Sequence, residues 1–199
     1  MLDPLNGIEG HFDYPGLYDR AVRDARDGSL LIEVGVFRGK SLCYLAREAK
    51  EQNKGLRVLG VDWGKGDYGT GSYKPGELIG SALANLEEHN LIRDAAVLVA
   101  SSVEAAKLFP DESAEFVFLD ASHDYDSVLR DLRAWLPKVK PGGTIAGHDI
   151  CYGTVAAAVE RVLAGRWRIS PDSPSCWESM VYAESRVCPG DAVPVHSGR

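Results

Sequence analysis

Two short apolar runs end in acids. Phe116-Val117-Phe118-Leu119-Asp120 closes one and Thr144-Ile145-Ala146-Gly147-His148-Asp149 the next, so adjacent parallel strands would set Asp120 and Asp149 side by side at one edge of a sheet. Two neighbouring carboxylates repel unless one keeps a proton or a cation joins them. A hard divalent ion with oxygen ligands is the economical answer. His148, next to Asp149, offers a third ligand or a group facing substrate, although imidazole suits softer ions than magnesium. His123 lies just after Asp120, on a turn into a helix. An imidazole titrates near neutrality, so it can accept the proton of an attacking hydroxyl without being permanently charged. The structural alternative is that His123 and Asp124 cap the helix.

A second group surrounds a glycine turn. Leu31-Ile32-Glu33-Val34-Gly35-Val36-Phe37-Arg38-Gly39-Lys40-Ser41 reads as strand, bend and helix start, with Gly35 allowing close backbone approach to a ligand and Gly39 relieving strand–helix packing. The spacing matches neither the dinucleotide fingerprint nor a P-loop, since Val34 stands where the P-loop needs its first glycine. Glu33 is a poor neighbour for a pyrophosphate and a good one for a cation or an amine. Asp62, at the end of Val58-Leu59-Gly60-Val61-Asp62-Trp63, lies about 20 to 30 residues beyond the bend, where an acid can take two ribose hydroxyls. An aspartate capping the following loop is the plain alternative. Together the bend and the acid favour a nucleoside-bearing ligand.

Short β-branched runs alternating with amphipathic stretches must position these groups. Strands are expected at 30–36, 56–61, 95–100, 115–119 and 144–146, with helices over 15–26, 39–53, 77–89, 124–136 and 154–164. Such alternation calls for an α/β sandwich with right-handed crossovers. The rhythm then changes: 166–169 and 177–182 flank a Pro/Ser loop at 170–175 and read as an antiparallel pair closing the sheet edge. One domain over 1–184 follows, with 1–28 as an N-terminal helical cover and 185–199 as a mobile tail. Ser101-Ser102 fits an N-cap before Val103. Arg130 and Asp131 fit a solvated helix face or an ion pair. The Gly/Tyr-rich stretch 64–76 and the segment 6–12 are candidate lids.

Composition bounds the partners. The 199 residues carry a net charge of −7, which argues against a nucleic-acid partner. No stretch approaches the roughly 18 apolar residues of a membrane span, and no secretory signal is visible. Cys43, Cys151, Cys176 and Cys188 form no C-x-x-C pair, so reduced thiols and a cytoplasmic location are expected, with Cys43 a buried hydrophobe.

From Ile32 to about Tyr182 the chain resembles the class I S-adenosylmethionine-dependent methyltransferases, in particular the small-molecule O-methyltransferase branch with macrocin-type sugar O-methyltransferases. The resemblance rests on Glu33-Val34-Gly35-Val36-Phe37-Arg38-Gly39-Lys40-Ser41, on Phe118-Leu119-Asp120-Ala121-Ser122-His123-Asp124-Tyr125, and on Pro141-Gly142-Gly143-Thr144-Ile145-Ala146-Gly147-His148-Asp149. It implies an α/β, Rossmann-like doubly wound sheet of seven strands with the last antiparallel. It also implies that Glu33, Gly35, Phe37, Gly39, Ser41, Asp62, Trp63, Ser101, Ser102 and Asp120 surround S-adenosylmethionine. Glu33 would lie near the methionine amino group, Asp62 on the ribose and Ser101-Ser102 at the adenine edge. Magnesium or another divalent cation would sit on Asp120, His148 and Asp149. Asp120, His123 and His148 would be catalytic, with a small-molecule hydroxyl as substrate. Relatives of this kind commonly form homo-oligomers. The rival readings are a nicotinamide-dependent oxidoreductase, disfavoured by the Gly35–Gly39 spacing, and a non-catalytic cofactor-binding homologue.

Overall fold

The computed structural model describes residues 4–66, 73–74 and 76–182. The lid reading of 64–76 therefore falls largely outside the described residues, and the tail reading of 185–199 entirely so. Seven strands form one sheet: β1 (Leu30–Val34), β2 (Arg57–Asp62), β3 (Ala95–Val99), β4 (Ala114–Leu119), β5 (Val139–Gly147), β6 (Arg168–Ser170) and β7 (Ser173–Met180). Their spatial order is β3-β2-β1-β4-β5-β7-β6. The pairs among β1 to β5 are parallel, and β7 runs antiparallel to both β5 and β6. This is the α/β sandwich expected of the alternating pattern, and the Rossmann-like doubly wound sheet with an antiparallel last strand that the family resemblance implies.

Among the described residues, six α-helices cover the sheet: α1 (Pro15–Asp24), α2 (Lys40–Glu51), α3 (Glu77–Glu88), α4 (Ser102–Ala106), α5 (Tyr125–Trp135) and α6 (Gly153–Leu163). Successive strand residues point to opposite faces, so Leu31 joins the core under α1 and α2 while Ile32 joins the core under α5 and α6. Burial on both faces explains why the central strands read as continuous apolar runs. Tyr14, Leu17, Tyr18 and Val22 are all buried, so the N-terminal helix is part of the first core.

Two boundaries differ most from the sequence reading. β5 begins at Val139 rather than 144, because Pro141-Gly142-Gly143 is held by main-chain bonds: Gly142 N donates to Val181 O, and Val181 N to Gly143 O. β7 begins at Ser173, inside the expected Pro/Ser loop, leaving Pro171-Asp172 as the turn. Arg20 of α1 fastens this hairpin by reaching both Asp172 and Glu178.

Register sets the site. Val34 pairs with Leu119 across β1 and β4, and Leu119 with Gly147 across β4 and β5. Gly35, Asp120 and His148 therefore leave three adjacent strand tips together. The strand order reverses between β1 and β4, the place where open α/β sheets bind ligands.

Candidate functional site

Gly35 carries a φ of +96°, and a Cβ there would stand 2.0 Å from Asp120 O and 2.5 Å from Asp120 C. The close approach that requires glycine is therefore to the tip of β4. At Gly39, a Cβ would meet Ala82 at 3.1 Å, so this glycine relieves helix–helix contact with α3 rather than strand–helix packing. Asp62 organises the bend between them. Its Oδ2 accepts from Val36 N at 2.8 Å and Phe37 N at 3.0 Å, and its Oδ1 accepts from Gly64 N at 2.6 Å. Phe37 is held at φ +51° by this bridge. Oδ1 has two lone pairs and, among the described residues, meets one backbone donor, which leaves an acceptor direction for a ligand hydroxyl.

Below the bend, Glu33 is fully buried. Tyr18 Oη donates to its Oε2 at 2.7 Å and Ser41 Oγ to its Oε1 at 2.9 Å. Burial outweighs these bonds, and with the charges of Asp120 and Asp62 pushes the carboxyl up to about 8. A cationic ligand group would reverse that balance and favour the carboxylate.

The strand tips carry a chain of alternating charges. His123 Nε2 lies 2.6 Å from Asp149 Oδ2, and His148 Nδ1 lies 3.1 Å from the same oxygen. His148 Nδ1 is also 3.8 Å from Asp120 Oδ1, and its Nε2 is 3.0 Å from Asp13 Oδ1. Burial would depress the His148 imidazole. Its bonds to Asp149 and Asp13 and the charge of Asp120 win, and push it up to about 9. Asp149, though burial opposes ionisation, is held well below the usual carboxylate range by the two histidines. Asp120 is raised, first by burial and then by Asp149, with His148 and the Tyr14 hydroxyl opposing. Tyr14 Oη donates to Asp120 Oδ2 at 3.0 Å.

The sequence reading asked for a cation between Asp120 and Asp149, and the chain's own His148 imidazolium fills that place. Magnesium prefers about six oxygens, and Asp149 already receives two imidazoles, so these residues do not fit that ion. The compact donor set around the two acids takes in His123, with Asp120, His123 and Asp149 ligand atoms within 4.8 Å, whereas His148 groups with His11 and Asp13.

The remaining expected residues lie along the same edge. Trp63 Nε1 donates to Gly66 O at 2.9 Å, and the Phe37 ring packs edge-on to Tyr73. Ser101 is exposed and precedes α4 without a side-chain cap bond. Ser102 Oγ accepts from Trp135 Nε1 at 2.9 Å and also bonds Asp131, so it is engaged in the core. Asp124, not His123, caps α5 by accepting from Ser127 N at 3.0 Å. Sequence reasoning missed Asp13, Tyr14 and Tyr18. The available signal was two tyrosines on the apolar face of a helix opening at Pro15, next to a segment already suspected of covering the site.

Comparison with known proteins agrees with this geometry. A family model described as a methyltransferase domain matches residues 32–150. The curated protein y4gI of Sinorhizobium fredii, described as uncharacterised, is 24% identical over 149 residues, which is 75% of this chain and 16% of that protein. The chain thus spans about a sixth of the length of that relative. Among solved structures, the O-methyltransferase NovP superimposes with a TM-score of 0.66 at 18% identity, covering 84% of this chain and 79% of NovP. CalS11, a TDP-rhamnose 3'-O-methyltransferase of calicheamicin biosynthesis, gives 0.62 at 16% identity, covering 83% and 76%.

Proposed function

Because this chain belongs to that methyltransferase-domain family, we propose that it transfers the methyl group of S-adenosylmethionine to a hydroxyl of a small molecule, a natural-product sugar in the first instance. The observation that carries the reading is the His123–Asp149 pair, standing at the strand tips beside the Gly35 bend and Asp120. S-adenosylmethionine bound at the bend would supply an electrophilic methyl on a sulfonium that leaves without acid help.

The chain's own residues then orient the acceptor, exclude water and remove one proton. Asp62 and the Val36–Phe37 bend shape the ribose side, with Trp63 and Ser101 along the adenine edge, while Ser102 is held by Trp135 and Asp131. Glu33, with Ser41 bonded to it, would hold the methionine amino group, and Gly39 sets the entry of α2. His123 is the base: its side chain is 38% exposed, and Asp149 fixes the ring by accepting the Nε2 proton. In that tautomer Nδ1 takes the acceptor's proton and Asp149 stabilises the imidazolium formed. His148, already charged near neutrality, holds Asp120 and Asp149 in place instead of serving as base. That NovP is an O-methyltransferase and CalS11 a TDP-rhamnose 3'-O-methyltransferase supports the hydroxyl class, and the rhamnose of CalS11 supports a sugar acceptor.

The test pairs cofactor binding with transfer. The purified chain should be stabilised by S-adenosylhomocysteine, and should label a member of a panel of nucleoside-diphosphate sugars and glycosides from methyl-labelled cofactor. His123→Ala should cut kcat by about 10²–10⁴-fold while leaving S-adenosylhomocysteine affinity intact. Undiminished transfer in that variant would sink the assignment of the base, and absent cofactor binding would sink the transferase.

A further inference from the structure

A second cluster joins the strap that precedes α1 to the tip of β5, on the far side of His148 from Asp149. His11, Asp13 and His148 each offer one ligand atom, all within 4.8 Å of one another. His11 Nε2 is 3.5 Å from Asp13 Oδ2, and His148 Nε2 is 3.0 Å from Asp13 Oδ1. Two donors each about 2.1 Å from one ion stand about 3.0 Å apart at a right angle and about 3.4 Å apart at the tetrahedral angle. The two spacings, one to each oxygen of Asp13, lie close to these values.

We propose that His11, Asp13 and His148 form a site for a divalent transition ion of the zinc, cobalt and iron class, which pins the N-terminal strap across the tip of β5. Two imidazoles and one carboxylate are the donors such borderline ions select, whereas magnesium and calcium ask for oxygen alone.

The surroundings are those a metal site needs. His148 is buried, and its Nδ1 points at Asp149 Oδ2, 3.1 Å away. Donation of Nδ1–H to a carboxylate leaves the Nε2 lone pair for the ion, the arrangement in which most ligating histidines are held. Ser175 Oγ bonds both oxygens of Asp13, at 3.0 and 2.9 Å, and so fixes the ligand carboxylate. The rings of Tyr14 and His11 lie 5.1 and 5.5 Å from that of His148 and hold its plane. Ion entry displaces the proton that His148 Nε2 shares with Asp13, so a positive charge stays beside Asp120 and Asp149. Three protein ligands leave at least one position to water.

This inference does not rest on the methyl-transfer reading, and its readout needs neither cofactor nor acceptor. The full chain, stripped with a chelator, is titrated with Co²⁺ and followed by the visible absorption of the bound ion and by calorimetry. One ion per chain is expected, with affinity reduced at least about tenfold by His11→Ala and by Asp13→Asn and unchanged by His123→Ala. His11 has an exposed side chain, so His11→Ala keeps the parent's fold, and Zn²⁺ should raise the Tm of the parent and not of that variant. Absence of Co²⁺ binding, binding indifferent to His11→Ala, or binding abolished by His123→Ala would each overturn the proposal.

Discussion

Replacing Glu33 by Gln removes the titration of a carboxyl that the fold holds at about 8 against an ordinary value of 4.5. Below the lower value both folded and unfolded chains keep the proton, and the residue does not weigh on stability. Between the two values the unfolded chain releases a proton that the folded chain keeps, so stability falls as pH rises, the reverse of a salt-bridged acid. At about 1.36 kcal/mol per unit, the loss is about 1 kcal/mol at about pH 5 and about 4 kcal/mol at about pH 7.5. The Gln variant escapes it and should gain about 3 kcal/mol on the parent between those conditions, a relative shift in Tm of about 6–12 °C for a chain this size. Both carboxyl oxygens accept hydroxyls, from Tyr18 and Ser41, and an amide has one acceptor oxygen. The variant therefore carries a constant cost of about 1–3 kcal/mol at every pH, which leaves the slope untouched. Urea melts of parent and variant at the two pH values measure it. A difference that is the same at both, or one that moves against the variant at higher pH, would mean that Glu33 is ionised in the fold.

Gly35→Ala should be far more damaging than Gly39→Ala, because the added methyl meets the Asp120 carbonyl 2.0 Å away and fixed backbone cannot yield; loss of soluble protein or a fall in Tm of more than about 10 °C is expected from several kcal/mol of overpacking, and an unchanged melt would refute the close approach. Tyr14→Phe deletes the donor to Asp120 Oδ2 in a buried setting, costs about 1–3 kcal/mol by denaturant melt, and should shift the acid limb of the activity profile to higher pH, since that hydroxyl holds the Asp120 pKa down. Asp62→Asn trades a carboxylate bonded to three backbone amides for a single acceptor oxygen. It should weaken S-adenosylhomocysteine binding by calorimetry at least about tenfold, the equivalent of about 1.4 kcal/mol.

The alternation of buried strands and amphipathic helices was legible because period and length agree: the five main helices fall within a few residues of their expected bounds. The late antiparallel hairpin was legible too, from the change of rhythm that leaves two short runs on either side of a Pro/Ser stretch. What failed were the signals of turn chemistry. Pro141-Gly142-Gly143 and the Ser/Pro stretch from Ser173 carry loop composition, yet both lie in strands, because partners distant in sequence take their main-chain bonds. Asp131 shows the same effect on a helix. A charge between Leu129 and Leu132 reads as solvated, but the residue is buried against Ser102 and pushed up to about 6, mainly by that burial.

The strand-end acids and both histidines were visible as chemistry, since Asp120, His123, His148 and Asp149 all sit at the ends of recognisable apolar runs. Their pairing was not. From the sequence, two adjacent carboxylates call for a proton on one of them or a cation between them, and a divalent ion is the economical choice. The register of β4 on β5 turns His148 inward between Asp120 and Asp149, and the strap before α1 brings Asp13 to its other nitrogen. An imidazole held on both nitrogens by carboxylates keeps its charge near neutrality, so it can balance the acids but cannot accept a substrate proton. That division of labour favours His123, which meets Asp149 and keeps a part-exposed ring, as the proposed proton acceptor. It depends on residues of the N-terminal strap, which carry no motif and enter the site through tertiary packing alone.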